Sequence, residues 1–299
     1  MSRSSLYLSP RTPFTGVSAD LTKSRFGFFG VPYDRTCTYK PGSRFGPGAI
    51  RDASANLELY SIRSNVDLES VPITDLGDVD TLEQLPETLS RVSVVWSELV
   101  AQGKLPIIVG GEHSITKAPF DVIHSDVGIV SFDAHLDLRD EFLGEKLSHA
   151  TFMRRIGEKI GPTNVMEVGI RAFSKPELDY CRETGVNLVF ANEIHRATIR
   201  NVIRKISSFV SRHDKVYVTV DIDVLDPAFA PGVGNPEPDG ISTDDLITMV
   251  TSAVGKNTIG FDLVEVCPPL DTGQTAAVGA KIIFEAVAVL SAGASQREV

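Results

Sequence analysis

Eight short apolar runs do most to limit what this chain can become. They are FGFFGVP (26–32), VPITDLG (71–77), LPIIVGG (105–111), VGIVSFD (127–133), VMEVGI (165–170), VNLVFA (186–191), KVYVTVDID (215–223) and TIGFDLVEV (258–266). Their apolarity is continuous rather than alternating, so both faces need cover, which is the pattern of parallel strands lying between helices. The stretches 81–103, 197–213 and 242–255 supply that cover with helical periodicity. Trp96 belongs to the core face of the first, and the last starts on Ser242 as N-cap and stops at Gly255. The expected fold class is α/β, a three-layer α/β/α sandwich around a mainly parallel eight-stranded sheet. At 299 residues and 42% hydrophobic the chain can bury one large core. No repeat, linker or low-complexity tract divides it, so one domain is expected over residues 1–299, with about residues 1–24 as an N-terminal arm or interface element.

A formal net charge of -10 argues against a nucleic-acid binder, which needs clustered Lys and Arg for phosphate contacts, and better suits a cation or a cationic substrate. Cys37, Cys181 and Cys267 are odd in number and form no CxxC pair, so neither a disulfide framework nor a structural zinc site is expected. The N-terminus has no continuous apolar stretch, and no uncharged apolar segment reaches the roughly 18 residues that span a membrane. A soluble protein of the reducing cytoplasm is the expectation.

In open parallel sheets ligands bind beyond the carboxyl ends of the strands, and four strand ends here carry ionisable groups. LPIIVGG leads into EHS with His113; VGIVSF leads into DAHLD with Asp133, His135 and Asp137; KVYVTV leads into DIDVLD with Asp221, Asp223 and Asp226; FDLVEV contains Glu265. Carboxylates gathered in one cleft repel each other and lose hydration, a conflict that a bound cation relieves. Asp133 and Asp137 would lie roughly 13 Å apart on an extended strand, so shared ligation needs the chain to curl. Asp221 and Asp223, about 6.6 Å apart on one side of a strand, can straddle two ions about 3.5 to 4 Å apart. Four carboxylates balance two divalent ions in charge. Two histidines and four aspartates favour Mn²⁺, and leave Fe, Co, Ni and Zn open.

Taken together, GGEHS, SFDAHLD, SHATF, DIDVLDPAFAPG and FDLVEVCPP, with PGSRFGPGAIR near the N-terminus, resemble the ureohydrolase family of arginases and agmatinases, in the family's order and over nearly the whole chain. The resemblance implies an arginase-like fold with two Mn²⁺ per subunit. One would be held by His113, Asp133, Asp137 and Asp221, the other by His135, Asp133, Asp221 and Asp223. It further implies attack of a bridging hydroxide on a guanidino carbon, His149 of SHATF as proton shuttle, Glu265 as partner of the guanidinium, and a homo-oligomer, trimer or hexamer. Asn235 stands where the family often has Thr beside the guanidinium. Arginases carry Asn at the position of Arg139, so the chain is most like a prokaryotic, archaeal-type agmatinase, releasing urea and putrescine from agmatine. Aminopropylagmatine or arginine is the alternative substrate.

Arg139 would repel a cationic tail, so it is expected to face away, towards Asp140 or Glu141. Asp226 is expected to hold the turn before Pro227, and His124, His195 and His213 to be structural or solvated. From other classes, a zinc deacetylase uses a single ion, a metallophosphatase needs more cationic groups, and GGEHS lacks the GK[ST] ending of a phosphate loop. A catalytically silent metal-binding scaffold remains, ranked low because His149 and Glu265 are both present.

Overall fold

The computed structural model describes residues 2–123, 126–196 and 198–295. All eight apolar runs form strands: β2 (Phe26–Val31), β5 (Ile73–Val79), β6 (Leu105–Gly110), β7 (Gly128–Phe132), β8 (Val165–Ile170), β9 (Asn187–Phe190), β10 (Val216–Asp221) and β11 (Thr258–Val264). The main sheet nevertheless has nine strands rather than eight, in the order β1-β5-β2-β6-β11-β10-β7-β8-β9. The added strand, β1 (Leu8–Ser9), comes from the stretch expected to be an arm and pairs antiparallel with β5 at the sheet edge. Two residues are too few to show a period in the sequence. A separate hairpin joins β3 (Tyr60–Ser61) to β4 (Val66–Asp67).

Every other pairing in the main sheet is parallel. Nine α-helices accompany the strands among the described residues: α1 (Gly46–Ser54), α2 (Leu85–Ala101), α3 (Lys117–Val122), α4 (Phe152–Ile160), α5 (Lys175–Thr184), α6 (Ala191–Arg196), α7 (Ile199–Val210), α8 (Thr243–Ala253) and α9 (Gln274–Ser295). Ser242 caps α8 by accepting from Asp245 N, and Trp96 is buried on α2. Apolar side chains form one cluster on each sheet face. The stretch Gln274–Ala292 of α9 is long and apolar enough to cross a membrane, but 67% of it is buried inside the protein and it carries Lys281 and Glu285, so it is a core helix. All three cysteines are free.

The strand order decides where chemistry can occur. β6, β11, β10 and β7 are neighbours at the centre of the sheet, and being parallel they deliver their carboxyl ends to the same edge. The close approach of the β2 loop to this edge requires Gly111, since a Cβ there would sit 1.9 Å from the Tyr33 carbonyl oxygen.

The N-terminal segment is tied to the sheet by one buried ion-pair cluster. Arg51 on α1 is 1% exposed and donates from Nε to Asp75 at 2.8 Å and from Nη1 to Asp78 at 2.6 Å. Arg11 also reaches Asp78, Phe14 N donates to Asp75, and Phe14 stacks on Phe28. Arg51→Met would leave the buried Asp75 without its cation and Asp78 with the half-exposed Arg11 alone, so a loss of about 3–5 kcal/mol is expected in urea unfolding; a loss below about 1 kcal/mol would contradict this role.

Candidate metal centre and active site

His113 follows β6 on a short 3₁₀ turn, His113–Thr116. Its backbone N–H donates to Glu265 Oε1 at 2.8 Å, and its Nε2 lies 2.8 Å from Thr219 Oγ1. Thr219 gives its own proton to Asp262 Oδ1, whose other oxygen accepts from Thr116 and Tyr217. Thr219 must therefore accept from His113 Nε2–H, which leaves the lone pair on Nδ1. That Nδ1 is buried without a hydrogen bond, although it lies 2.9 Å from Asp133 Oδ2, 3.3 Å from Asp221 Oδ2 and 3.8 Å from Asp137 Oδ2. A nitrogen lone pair facing three carboxylate oxygens is repulsive unless a cation lies between them.

The second histidine repeats this arrangement. His135 Nδ1 lies 3.0 Å from Asp223 Oδ2 and 3.6 Å from Asp133 Oδ1, while Nε2 faces Glu237 at 3.9 Å. Two donor groups that could each hold a metal ion result, His113–Asp133–Asp221 and Asp133–His135–Asp223, with Asp133 in both. Burial, then the charge of Asp133, pushes the Asp137 carboxyl well above the usual carboxylate range, and burial with Asp223 and Asp133 does the same to Asp221. Ionising them together needs positive charge nearby, and the donor set of imidazole nitrogens and carboxylate oxygens fits divalent cations.

Curling at the strand ends makes this convergence possible. After β7 the chain leaves the extended conformation, and Asp137 adopts a φ of 50°, which returns its carboxyl to His113. Asp223 lies not on a strand, as its spacing from Asp221 suggested, but on the 3₁₀ turn Ile222–Val224, its N–H donating to Asp221 Oδ1 at 2.9 Å. Glu265 directly follows β11 with a φ of 65°. Left-handed backbone at a residue with a side chain carries strain, and two such residues stand at this one site.

Above these groups opens a cavity of about 550 Å³, where His135, Asp137, Asp221, Asp223 and Glu265 from the strand ends meet Asn235 and His149. His149 is 9% exposed, its ring edge-on to Phe142. Burial, then the charge of His135, pulls its pKa down to about 4, which keeps the imidazole uncharged at neutral pH. Burial, then Glu112, raises the Glu265 carboxyl.

Arg139 departs from expectation. Asp140 pairs with Arg155 instead, and Arg139 lines the cavity, stacked 5.0 Å from the Phe142 ring centroid and 3.8 Å from Glu177 Oε2. Glu177 claims this neighbour because it is fixed in the capping box of α5, accepting from Ser174, and also takes the Leu138 N–H. Asp226 holds its turn by accepting from Ala228 N and Gly240 N. His195 bonds the Gly240 carbonyl and His213 bonds Phe209 O and Asn164, both away from the cavity; His124 lies outside the described residues.

Of the supporting groups, Glu112 lies inside GGEHS and Asp262 inside FDLVEVCPP without having been singled out, while Thr219 and Thr36 belong to no quoted motif. A polar residue inside a continuous apolar run was the available signal for Thr219 and Asp262. Glu167 gives the same signal in VMEVGI; its carboxyl is buried without a partner among the described residues, and burial, then Asp133, raises its pKa well above the usual range.

Comparison with known proteins matches these residues to a recognised family. Residues 24–289 match the model of the Arginase family. An agmatinase of Halalkalibacterium halodurans is 39% identical over 265 residues, covering 86% of this chain and 89% of that protein. A guanidinobutyrase of Pseudomonas aeruginosa is 33% identical over 291 residues, covering 94% and 91%. The crystal structure of agmatine ureohydrolase of Thermoplasma volcanium superposes with a TM-score of 0.90 at 30% identity, covering 97% of this chain and 98% of that one. With the sandwich, the strand-end acids and the family match in agreement, the chain belongs to the arginase family and is a ureohydrolase.

Proposed function

We propose that the protein hydrolyses agmatine to urea and putrescine with two Mn²⁺ ions per subunit, one held by His113, Asp133, Asp137 and Asp221 and the other by His135, Asp133, Asp221 and Asp223. The observation that carries this reading is the pair of imidazole Nδ1 atoms turned onto shared carboxylates at the floor of one cavity. When bound, such ions lower the pKa of water to about 7 and so supply a nucleophile strong enough for a resonance-stabilised guanidinium.

The protein's own groups do the rest. An ionised carboxylate has about four lone-pair sites, so Glu265 can hold the His113 N–H and still accept guanidinium N–H groups. The amine product is a poor leaving group until it gains a proton; His149 Nε2, the nitrogen turned away from Thr36, takes a proton released by the attacking water and returns it to that amine nitrogen. Asn235 offers an amide to the same end of the substrate. The half-exposed Glu237 carboxylate at the cavity wall suits the distal ammonium of agmatine. We further propose that putrescine formation serves polyamine biosynthesis in the cytoplasm and, as the family resemblance implies, that the enzyme is a homo-oligomer, trimer or hexamer.

Arg139 supports one second reading. A guanidinium on the cavity wall complements a substrate whose tail ends in a carboxylate, such as guanidinobutyrate, after which the P. aeruginosa guanidinobutyrase is named.

Urea release from Mn²⁺-loaded protein is expected to be fastest with agmatine when agmatine, guanidinobutyrate, arginine and aminopropylagmatine are compared. Faster turnover of guanidinobutyrate, abolished in Arg139→Gln, would replace agmatine with the guanidino acid. Asp133→Asn is expected to lose metal and activity together, measured by elemental analysis and urea release; full activity with both ions present would overturn the shared-ligand assignment. Glu265→Gln should keep its metal while kcat/KM falls about 100-fold or more, as for one lost partner of a buried charge pair. Metal loss in that variant would mean that Glu265 serves the ions instead.

A further inference from the structure

The loop after β2 reaches the catalytic face, where Thr38 and Tyr39 line the cavity and Thr36 lies against His149. Thr36 is half-buried there, and its hydroxyl is saturated. Its Oγ1 donates to Glu112 Oε1 at 2.6 Å, accepts from the His149 backbone N–H at 2.9 Å, and lies 3.1 Å from His149 Nδ1. The Glu112 carboxyl is fully buried and takes two further donors, Thr36 N at 2.7 Å and the Ser114 hydroxyl. All three hydrogen-bonding partners of Glu112 are donors, which turns the single Thr36 proton towards the ionised Glu112 carboxylate. A hydroxyl has one proton and two lone pairs. With the proton spent on Glu112 and one lone pair on the His149 N–H, the other lone pair is left for Nδ1, and only Nδ1–H can meet it.

We propose that Thr36, oriented by Glu112, is a positioning residue that holds His149 as the Nδ1–H tautomer, leaving Nε2 as the atom that exchanges protons in the cavity. The inference deepens the reading of His149 as proton carrier and rests on it for its catalytic consequence, though not for the tautomer. A ring free to rotate, or already carrying its proton on Nε2, would leave no Nε2 lone pair in the cavity to take up the water's proton before it is passed to the amine. The arrangement also makes the β2 loop part of the catalytic apparatus, since Gly42 and Arg44 N–H groups fix that same loop to Asp34.

The tautomer can be read without turnover, from the ¹⁵N shifts of histidine-labelled protein, with the His149 signal assigned by its loss in His149→Asn. Wild type and Thr36→Ser are expected to show Nδ1–H with an unprotonated Nε2, whereas Thr36→Val and Thr36→Ala shift towards Nε2–H or a mixture. Agmatine hydrolysis by the Mn²⁺-loaded protein should lose about 10-fold or more in kcat in the Val and Ala variants, part of the roughly 10²- to 10⁴-fold that general acid–base catalysis contributes. KM should stay within about twofold, and Ser should restore turnover. Two apolar variants are used so that one that fails to fold leaves the other to decide. Retention of Nδ1–H in both, or of wild-type kcat, would overturn the proposal. An active His149→Asn enzyme, with the tautomer shift in Thr36→Val intact, would instead remove the proton-carrier reading and leave the positioning contact standing.

Discussion

The structure depends on a conflict between burial and charge at one end of a parallel sheet. Asp133, Asp221 and Asp223 are at most 4% exposed and turn their carboxylates towards one another and towards two imidazole nitrogens. Burying like charges costs several kcal/mol per ion unless an opposite charge offsets it. The surrounding fold serves that arrangement: neighbouring parallel strands bring the groups to one edge, and the Asp262–Thr219–His113 chain settles which nitrogen faces the carboxylates.

A similar device appears on both sides of the cavity. A buried carboxyl takes a threonine proton, and the threonine then accepts from a histidine. Asp262 and Thr219 do this for His113, and Glu112 and Thr36 for His149. In each case a hydroxyl with one proton to give decides a histidine tautomer, although the two rings are held by opposite nitrogens. His113 thereby presents Nδ1 to the acid cluster, and His149 keeps Nε2 for the cavity.

Much of this was legible in the chain. Continuous apolar runs revealed all eight long strands of the main sheet, because burial on both faces leaves no polar alternation to confuse the pattern. The acids and histidines were legible because they interrupt those runs at the carboxyl ends. What escaped depends on tertiary partners. β1 is two residues held by its neighbour, and the separation of Asp133 and Asp137 closes through left-handed backbone at Asp137, which Asp tolerates better than most residues but which the sequence does not assign to this one of its aspartates. Helix α9 has an apolar surface nearly all round because it packs into the core, so it lacks the one-sided stripe of the helices read from periodicity. Arg139 was expected to turn outwards on grounds of repulsion; Phe142 and a Glu177 already fixed in a helix cap hold it on the cavity wall instead.

The central claim, that these acids and imidazoles exist to share two cations, is tested most directly by crystals of the Mn²⁺-loaded protein measured at the manganese absorption edge. Two anomalous peaks per subunit are predicted, one within bonding distance of His113 Nδ1 and one within bonding distance of His135 Nδ1, with Asp133 touching both. A single peak, or ions bound through Nε2 or lying away from Asp133, would contradict the account.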